Sequence, residues 1–577
     1  MIGDFRSTCR WVLMFGILVM GFWIGAYGIP EQSEAFDSLL SPPADWILIH
    51  GRVYPLWPEP DHRVPALAIR DGRIAAVGDD TTLLAQWRGP HTRVTDLQGR
   101  TVLPGLTDAH VHLAGLGRRL RQLDLVGTRS KEEILQKVQV YARKHPEMRW
   151  IVGRGWDQND WPDPRMPDRA DLDRVVPDRP VFLTRIDGHA AWVNSRALEL
   201  AGITRDTPDP PGGRILRRSD GSPTGVLIDR AVGLVRAVMP EPTIEDIRRD
   251  LEAGARACVA AGLTSIHDAG IDTRTWQAYL HLLQEGRLPL RVYAMAMYGS
   301  DLAETLLRTG PIIGLGEDRL TLRAIKVIAD GALGSRGAAL LEPYTDEPDS
   351  RGLLLVRPEE LETLSRRALR AGVQLAVHAI GDRANRMVLD VWERVFGPRG
   401  CPSCRFRIEH AQIIHPDDIP RFAQLHVIPS MQPTHATSDM PWVPARLGPH
   451  RQRGAYAWRS LLDTGVVIAG GSDAPVEEIF PMLGLYAATT RQDRNGQPPG
   501  GWHPEQRVTP LEAVQMFTTW AAYAAFMEDL VGRLRPGMFA DFTVLDRDPM
   551  DVNPREIPRI HVHMTVIGGN VVYTRQE

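Results

Sequence analysis

Short apolar segments alternate with helical patterns over residues 105–528, and this alternation restricts the fold more than any other feature of the chain. Strands that alternate with helices form parallel βα units, and eight such units close into a barrel. Eight segments have strand character: residues 101–106, 264–268, 291–295, 323–329, 374–378, 406–409, 427–430 and 466–471. The sequence therefore predicts an α/β fold built on a (β/α)8 (TIM) barrel.

Both ends of the chain carry short strands separated by tight turns. Residues 45–104 and residues 529–577 have this pattern, with Gly-containing turn signals between apolar stretches. We expect the two ends to join in one small β-sandwich. The connection after the first barrel strand is far longer than an ordinary βα loop, and its residues 153–239 are rich in Trp, Pro and Asp. Long connections in compact folds are often functional lids, so we predict an inserted subdomain over the barrel mouth.

An uncharged segment lies near the start of the chain. Residues 11–29 contain no charged side chain and follow Arg6 and Arg10. Such a run is typical of a secretory signal peptide or a single membrane anchor, with the arginines on the cytoplasmic side. We predict that residues 1–30 direct export to the periplasm or cell envelope. If the segment is retained, residues 11–29 would associate the protein with the membrane.

The overall composition excludes some classes of partner. The net charge is −4 and there is no Lys/Arg-rich run, so no basic surface for nucleic acid is expected. Four cysteines are too few for a disulfide scaffold. Cys401 and Cys404 form a lone C-x-x-C, which fits a small disulfide, a redox pair or free thiols; without a second pair, zinc is disfavoured. We expect a small-molecule substrate and consider a homodimer as the assembly.

The segment TVLPGLTDAHVH places two histidines at the end of a buried strand. Side chains two residues apart share one face of a strand, so His110 and His112 can present two imidazoles together. Neutral imidazole is a good ligand for zinc and similar ions. The spacing therefore predicts the beginning of a metal site, against the alternative of two unrelated surface histidines.

Five stretches, taken in order, resemble the amidohydrolase superfamily and within it the YtcJ-like branch, which includes N-substituted formamide deformylases. The stretches are PGLTDAHVHL, IKVIADGALGSRGAAL, LAVHAIGDRAN, RIEHAQ and GGSDAPV. The likeness runs from about residue 45 to the C-terminus. It implies a TIM barrel flanked by a β-sandwich and a metal site at the C-terminal ends of the barrel strands, where such barrels carry their catalytic groups.

The resemblance also implies the ligands of that site. His110, His112 and Asp473 would hold one ion, and His378 and His410 a second. Lys326 would bridge the two ions after carboxylation. Apolar residues flank Lys326 in its strand, and burial lowers the pKa of an amine. The amine of Lys326 could therefore be neutral and take up carbon dioxide. The alternative is an ion pair of Lys326 with Asp330 or another acid. We expect one or two divalent ions, and zinc suits the mixed nitrogen and oxygen ligands best.

This ligand set indicates a hydrolase of the amide type. Metals would lower the pKa of a bound water and polarise a carbonyl, and Asp473 would act as general base. The leading interpretation is hydrolysis of a C–N bond in an amide, N-formyl or cyclic amide. The same site could hydrolyse an ester, lactone or carbamate. A non-catalytic envelope binding protein would be expected to lack a ligand or the base, and here every position is filled.

Several other residues are candidates for weaker roles. By resemblance, Asp382 is a site residue near the substrate and His189 faces the site as a substrate contact or oxyanion donor; helix capping is the alternative for Asp382. Asp108 fits either a turn or a contact behind the ligands. Further substrate contacts or lid residues are Gln412, Arg336, Trp156 and Trp161. The histidines expected to be ordinary core or loop residues are His267, His415, His426 and His435.

Overall fold

The computed structural model describes residues 42–576, apart from Asp187, His189, Gly212 and the side chain of Asn159. The predicted export segment of residues 1–30 lies outside this range. Within the described residues, no helix combines the length and apolar character required to cross a membrane. Cys401 and Cys404 form a disulfide.

Eight parallel strands form a nearly closed barrel in the order in which they occur in the chain. Strand 8 returns to strand 1 through a parallel bridge between Ala474 and Val111. The N–H of Asp473 also donates to the carbonyl of His110 at 2.7 Å. Barrel strands 1 to 8 are Leu106–Val111, Leu263–Ile271, Arg291–Met297, Leu320–Ile328, Gln374–Ala379, Arg407–His410, Ile428–Met431 and Ala469–Gly470.

Barrel strand 1 begins later than the sequence pattern predicts. The apolar run suggests residues 101–106, but Thr101–Pro104 belongs to a separate sheet and barrel strand 1 is Leu106–Val111. Gly105 lies between them, where a β-carbon would stand 2.1 Å from Thr264 Oγ1. Both segments are fully buried, so their hydrophobicity does not reveal the division. The other seven strands overlap their predicted positions.

Helices between the barrel strands cover the outside of the barrel. Thr243 and Thr509 begin two of them with reciprocal capping hydrogen bonds, which satisfy backbone N–H groups in the first helical turn. The α-helices of five or more residues from barrel strand 1 onward, outside the long insertion, are Leu113–Arg121, Ile244–Ala260, Thr273–Gln284, Asp301–Thr309, Pro358–Ala371, Asp382–Phe396, Ile419–Leu425, Pro433–Asp439, Val443–Arg451, Trp458–Leu462, Pro481–Thr490, Pro510–Met516 and Thr519–Ala524.

Two further sheets contain the strands from the chain ends. A four-stranded sheet consists of Trp46–Ile49, Ala66–Arg70, Arg73–Gly78 and Arg93–Asp96, next to the helix Asp80–Trp87. A five-stranded sheet combines both ends of the chain: Arg52–Val53, Thr101–Pro104, Phe542–Leu545, Val562–Ile567 and Asn570–Thr574. One apolar cluster draws on both sheets, with Trp46 and Leu67 from the first and Phe542 and Val566 from the second.

A six-stranded sheet occupies the long connection between barrel strands 1 and 2. Two apolar clusters of its own stabilise it, and one contains Trp156, Trp161 and Trp192 with ring centroids 6.1 to 6.5 Å apart. The sheet begins before residue 153, where the predicted insertion starts. Its strands are Leu123–Asp124, Ile151–Trp156, Val181–Arg185, Ala190–Val193, Gly213–Arg217 and Pro223–Asp229; its helices are Lys131–Lys144, Arg169–Val175, Ser195–Leu200 and Val232–Arg236.

Candidate metal centre

The six predicted ligands converge at the C-terminal ends of barrel strands 1, 4, 5, 6 and 8. Five of them line a cavity of about 380 Å³: His112, Lys326, His378, His410 and Asp473. His110 is the sixth, and it lies completely buried beside them. Positions 363 residues apart in the sequence, from His110 to Asp473, therefore meet in one place. The barrel topology produces this convergence, because parallel strands end at the same rim.

Three of these residues form a compact group. The ligand atoms of His110, His410 and Asp473 all lie within 4.8 Å of one another. His112 Nε2 is 3.2 Å from Asp473 Oδ1. The rings of His378 and His410 have centroids 4.5 Å apart. From the sequence, His410 was predicted to bind a different ion from His110 and Asp473, whereas the compact group contains residues of both predicted sites.

The protonation states of these side chains suit metal binding. Burial lowers the pKa of His110 to about 4 and that of His378 to about 3, so both imidazoles are neutral at neutral pH. Burial likewise holds the pKa of His410 well below its usual value. Burial opposes ionisation of Asp473, but His112, with Nε2 3.2 Å from Asp473 Oδ1, and the other nearby histidines outweigh it and hold the Asp473 pKa well below its usual range. Neutral imidazoles and an ionised carboxylate are the ligand forms that metals bind.

Buried polar atoms without partners also fit a cation. His378 Nε2 and Asp473 Oδ1 are inaccessible to solvent and form no hydrogen bond within the described part of the chain. A buried polar atom left unsatisfied costs about 1–3 kcal/mol, and a metal ion would satisfy both atoms. The donor set and these free atoms therefore fit a divalent metal.

Lys326 is buried two residues before the C-terminal end of barrel strand 4. Its Nζ lies 3.0 Å from His110 Nε2, and across residues 42–576, as far as they are described, Lys326 forms no ion pair with a carboxylate. Burial lowers the pKa of its amine. Asp330, the alternative partner considered from the sequence, instead accepts backbone N–H groups from Ala339, Ile380 and Gly381 at 2.8–2.9 Å.

Two strands supply partners behind the candidate ligands, and these partners were not predicted from the sequence. Glu409 Oε2 lies 2.5 Å from His110 Nδ1, and Gln432 Oε1 lies 2.8 Å from His410 Nδ1. Arg407 donates to both carboxylate oxygens of Glu409, at 2.8 and 3.1 Å. Such contacts orient ligating imidazoles and fix their tautomers. The sequence signal that could have indicated Glu409 is the pair of charged residues two positions apart in the buried strand RIEH.

The backbone at two ligands adopts a conformation that is uncommon for residues other than glycine. His410 has φ 72° and Asp473 has φ 59°. Left-handed φ values at such residues cost of order 1–3 kcal/mol and cluster at functional sites. Both residues lie at the ends of barrel strands, where the chain turns sharply and directs the side chains into the cavity.

Close backbone packing joins barrel strands 1 and 8 beside the ligands. A β-carbon on Gly471 would lie 2.7 Å from the backbone nitrogen of His110 and 2.8 Å from Asp108 Oδ1. Asp108 Oδ1 accepts hydrogen bonds from the N–H groups of His110 and Ser472, both at 3.0 Å. Asp108 thus lies behind the ligands, one of the two roles expected from its sequence.

Of the two predicted catalytic residues other than Asp473, the structure describes only Asp382. His189 lies outside the described residues. Asp382 begins the helix Asp382–Phe396, where its Oδ1 accepts N–H groups of Leu341 and Arg383 at 2.8 and 2.9 Å. Asp382 does not line the cavity, and its catalytic role stays a prediction.

Some of the remaining candidates line the cavity and the others lie elsewhere. Gln412 and His435 line the cavity, although His435 was expected to be an ordinary core residue. Arg336 forms ion pairs with Asp346 and Glu347 away from the cavity. His267 is fully buried against Arg407, and the remaining two, His415 and His426, lie outside the cavity lining.

Comparison with known proteins finds relatives that match nearly the whole described part of the chain. Putative amidohydrolase YtcJ of Bacillus subtilis (strain 168) is 36% identical over 532 residues, covering 91% of this chain and 98% of that protein. Protein LONG AFTER FAR-RED 3 of Arabidopsis thaliana is 35% identical, with 92% and 93% coverage. N-substituted formamide deformylase of Arthrobacter pascens is 29% identical, with 88% and 95% coverage.

A solved structure supports the same relationship. The crystal structure of an uncharacterized metal-dependent hydrolase from Pyrococcus furiosus superposes with a TM-score of 0.74 at 32% identity, covering 88% of this chain and 100% of that one. Residues 93–573 match the profile of the Amidohydrolase family. This match includes every barrel strand and all six candidate ligands, and the chain belongs to the amidohydrolase family.

Proposed function

We propose that the protein is a metal-dependent hydrolase of C–N bonds in small amides, N-formyl compounds or cyclic amides. The observation that carries this proposal is the group of three neutral histidines and one ionised aspartate around a buried lysine at the barrel mouth. Similarity to an N-substituted formamide deformylase supports the choice of a C–N bond.

His110, His112, His378, His410 and Asp473 would hold one or two divalent ions, with zinc the best match to the ligands. The ions would supply positive charge that makes a water molecule more acidic and polarises the scissile carbonyl. Lys326 fits a bridging role after carbon dioxide adds to its neutral amine. Its lowered pKa and its lack of an ion pair among the described residues support that reaction.

Asp473 would accept the proton of the attacking water and pass it to the leaving nitrogen. It is ionised and buried, and its Oδ1 lies 3.2 Å from His112 Nε2. General-base assistance of this kind typically contributes on the order of 10²–10⁴ in rate. The amine would therefore leave as a neutral group. The second proton of the water would stay on the carboxylic acid and pass to solvent when the acid ionises.

Apolar side chains form most of the remaining cavity wall. They include Met297, Ile328, Leu333, Ile380, Trp442 and Val476. Such walls favour substrates with apolar substituents on the acyl or amine side. Ile328 is 42% exposed and Val476 is 65% exposed, so both are available at the cavity opening to contact such a substituent.

The proposed domain arrangement also bears on substrate access. We propose that the sheets at the chain ends form a β-sandwich and that the six-stranded sheet belongs to a lid. A second cavity of about 470 Å³ lies between the insertion and the segment that follows Asp473. Leu123 and Arg154 of the insertion line it together with Pro475 and Glu477. This contact supports the proposal of a lid. His189→Ala would then alter kinetics without reducing metal content, whereas unchanged kinetics would contradict a substrate role for His189.

We also propose export of the protein. Residues 11–29 carry no charge, and the Cys401–Cys404 disulfide is compatible with an oxidising compartment. Fractionation of cells that express the full chain tests the proposal, because intact protein found only in the cytosol would contradict it.

The decisive experiment for the function combines metal analysis with a substrate panel. Purified protein should contain divalent metal, and a panel of N-formyl amines, N-acyl amines, cyclic amides and matched esters should give faster turnover of the C–N substrates. Asp473→Asn is the inactive reference. Esters hydrolysed well with no amide hydrolysed would contradict the proposal, as would a metal-free protein with full activity.

A further inference from the structure

His435 presents a buried N–H group to the cavity, and this group is not explained by the ligand set. The residue lies in the helix Pro433–Asp439, directly after barrel strand 7. Only 7% of its surface is exposed, and it lines the cavity together with Asp473 and His410. Its ring is nearly parallel to that of His410, with centroids 6.0 Å apart.

Gln412 determines which nitrogen of His435 carries the proton. The side-chain amide nitrogen of Gln412 lies 3.1 Å from His435 Nδ1. An amide nitrogen only donates, so Nδ1 must accept and the proton of the neutral ring is on Nε2. Gln412 is itself buried, and its backbone carbonyl accepts the N–H of Tyr456 at 2.7 Å. Burial and this backbone hydrogen bond therefore hold Gln412 in position next to His435.

His435 Nε2 has no hydrogen-bond partner in the described part of the chain. Its nearest carboxylate oxygen, Asp473 Oδ2, is 3.8 Å away, which is beyond hydrogen-bonding distance. Leaving a buried donor unpaired is unfavourable, and such groups in native proteins call for an explanation. An acceptor that enters the cavity next to Asp473 would satisfy it.

We propose that His435 donates a hydrogen bond from Nε2 to the carbonyl oxygen of the bound substrate and stabilises the negative charge that develops there. This inference rests on the proposed hydrolase function, because the general base Asp473 and the donor must face the same carbonyl group. The 3.8 Å separation of His435 Nε2 from Asp473 Oδ2 is compatible with this arrangement. Donors fixed toward a developing oxyanion are among the largest contributions to catalysis.

Turnover measurements with conservative variants test the role. His435→Leu removes the donor while keeping an apolar side chain of similar size, and it should lower kcat by about 10²-fold or more with the metal content unchanged. His435→Gln can still donate from its amide and should recover part of the loss. His281→Ala, at an exposed position of the helix Thr273–Gln284, is the matched control and should behave as the wild type.

Two outcomes would overturn the proposal. A kcat of His435→Leu within twofold of the wild type would show that the donor is not used. Loss of metal from His435→Leu, to the extent seen for His110→Ala, would make His435 a ligand instead.

Gln412→Glu tests the assigned tautomer. A carboxylate in place of the amide would accept a hydrogen from Nδ1, which moves the lone pair to Nε2 and removes the donor from the cavity. This variant should lose kcat like His435→Leu while retaining metal. A wild-type kcat for Gln412→Glu would contradict the proposed donor.

A binding measurement separates this inference from the proposed function. Methylphosphonate carries tetrahedral anionic oxygens, and calorimetry can measure its binding without any turnover. Hydrogen bonds to charged groups contribute about 1.5–3 kcal/mol, so His435→Leu should weaken binding about tenfold or more. If the wild type hydrolyses no amide but His435→Leu still weakens methylphosphonate binding, the proposed function is wrong and the donor role of His435 is retained. Equal binding of methylphosphonate to both proteins would contradict the donor role.

Discussion

His110 of barrel strand 1 and Glu409 of barrel strand 6 meet in the barrel interior, with Nδ1 2.5 Å from Oε2 and both side chains inaccessible to solvent. The carboxylate accepts the Nδ1 proton of the imidazole, which leaves Nε2 free of hydrogen. That nitrogen is directed toward Lys326 and Asp473, at 3.0 and 3.6 Å. Glu409 therefore holds His110 in the tautomer that metal ligation would require, although Glu409 does not reach the cavity itself.

Glu409→Gln should weaken metal binding. The amide can donate toward Nδ1, which disturbs the tautomer, and changes of this kind typically cost 10- to 100-fold in metal affinity. Competition with a chelator measures the affinity. Glu362→Gln, on a surface helix with ion pairs to Arg366 and Arg394, is the control. Unchanged affinity in Glu409→Gln would show that the contact with His110 does not tune the ligand.

The same variant should also lower stability. Arg407 is fully buried and pairs with Glu409, and removal of one partner of a buried ion pair costs about 3–5 kcal/mol. The double variant Arg407→Met/Glu409→Gln should regain part of the free energy of unfolding but none of the metal affinity. Urea unfolding of the metal-free proteins separates the two effects, and recovery of metal binding in the double variant would contradict this division.

The barrel and the convergence of its candidate ligands could be predicted from local features of the sequence. Apolar segments are readable as strands, and His378 and Asp473 could be selected because they belong to motifs at strand ends. Glu409 was missed, since its partner His110 is 299 positions away. Its role follows from the packing of strand 1 against strand 6, which local periodicity does not encode.

Two other differences have equally physical causes. His435 was expected to be an ordinary core residue, because a buried histidine in a loop is usually satisfied, but the Gln412 amide occupies only one of its nitrogens. Thr101–Pro104 and Leu106–Val111 are both fully buried. Burial on both faces erases the alternation that would have divided the two strands.

Gly471→Ala should disrupt the metal centre. The added methyl group would meet the His110 backbone nitrogen at 2.7 Å and Asp108 Oδ1 at 2.8 Å, and backbone cannot move away as a flexible side chain can. Overpacking typically costs about 1–3 kcal/mol, and here the displaced segment carries a ligand. We expect lower stability and lower metal content, measured by thermal unfolding and elemental analysis.

Gly233→Ala is the matched control for this substitution. Gly233 lies in the helix Val232–Arg236 and a β-carbon there meets no atom within 4 Å. Its stability should be unchanged or slightly higher, because alanine favours helix by up to about 1 kcal/mol. Normal metal content in Gly471→Ala would contradict the close packing of strand 8 on strand 1.

Asp439 should make stability depend on pH. Burial raises its pKa from 3.8 to about 6, against the hydrogen bond from Tyr456. In the folded protein the carboxyl stays protonated up to about pH 6, whereas in the unfolded chain it ionises near pH 3.8. Its contribution to stability is therefore fully present below pH 3.8 and is lost as the pH rises through 6.

Asp439→Asn removes this titration and isolates its effect. The stability of the variant relative to the wild type should rise between pH 4 and pH 7 by about 1–3 kcal/mol, since one pKa unit corresponds to about 1.4 kcal/mol. Urea unfolding at several pH values measures the difference. Asp529→Asn, whose side chain is 86% exposed, is the control. A difference that is constant with pH, or that falls as pH rises, would contradict the assignment.

Substitutions of Lys326 and Asp473 should impair different properties of the protein. Lys326 is proposed to bridge the metals, whereas Asp473 is proposed to transfer the proton. Lys326→Ala should lose or weaken at least one metal ion. Short carboxylic acids added to the buffer should restore part of the binding, since a free carboxylate can occupy the space of the carboxylated side chain next to His110 Nε2. Two retained ions and a near-normal rate in Lys326→Ala would refute the bridge.

Asp473→Asn retains the shape of the side chain and one ligand oxygen but cannot accept a proton. It should keep much of its metal and lose about 10²–10⁴ in kcat. Because the Asp473 pKa is held well below its usual range, wild-type kcat should not fall through protonation of this carboxylate at mildly acidic pH. Elemental analysis and kcat, measured on the same preparations of both variants, distinguish the two roles. Full activity of Asp473→Asn would require another base, and Asp382 and His189 would be the next residues to substitute.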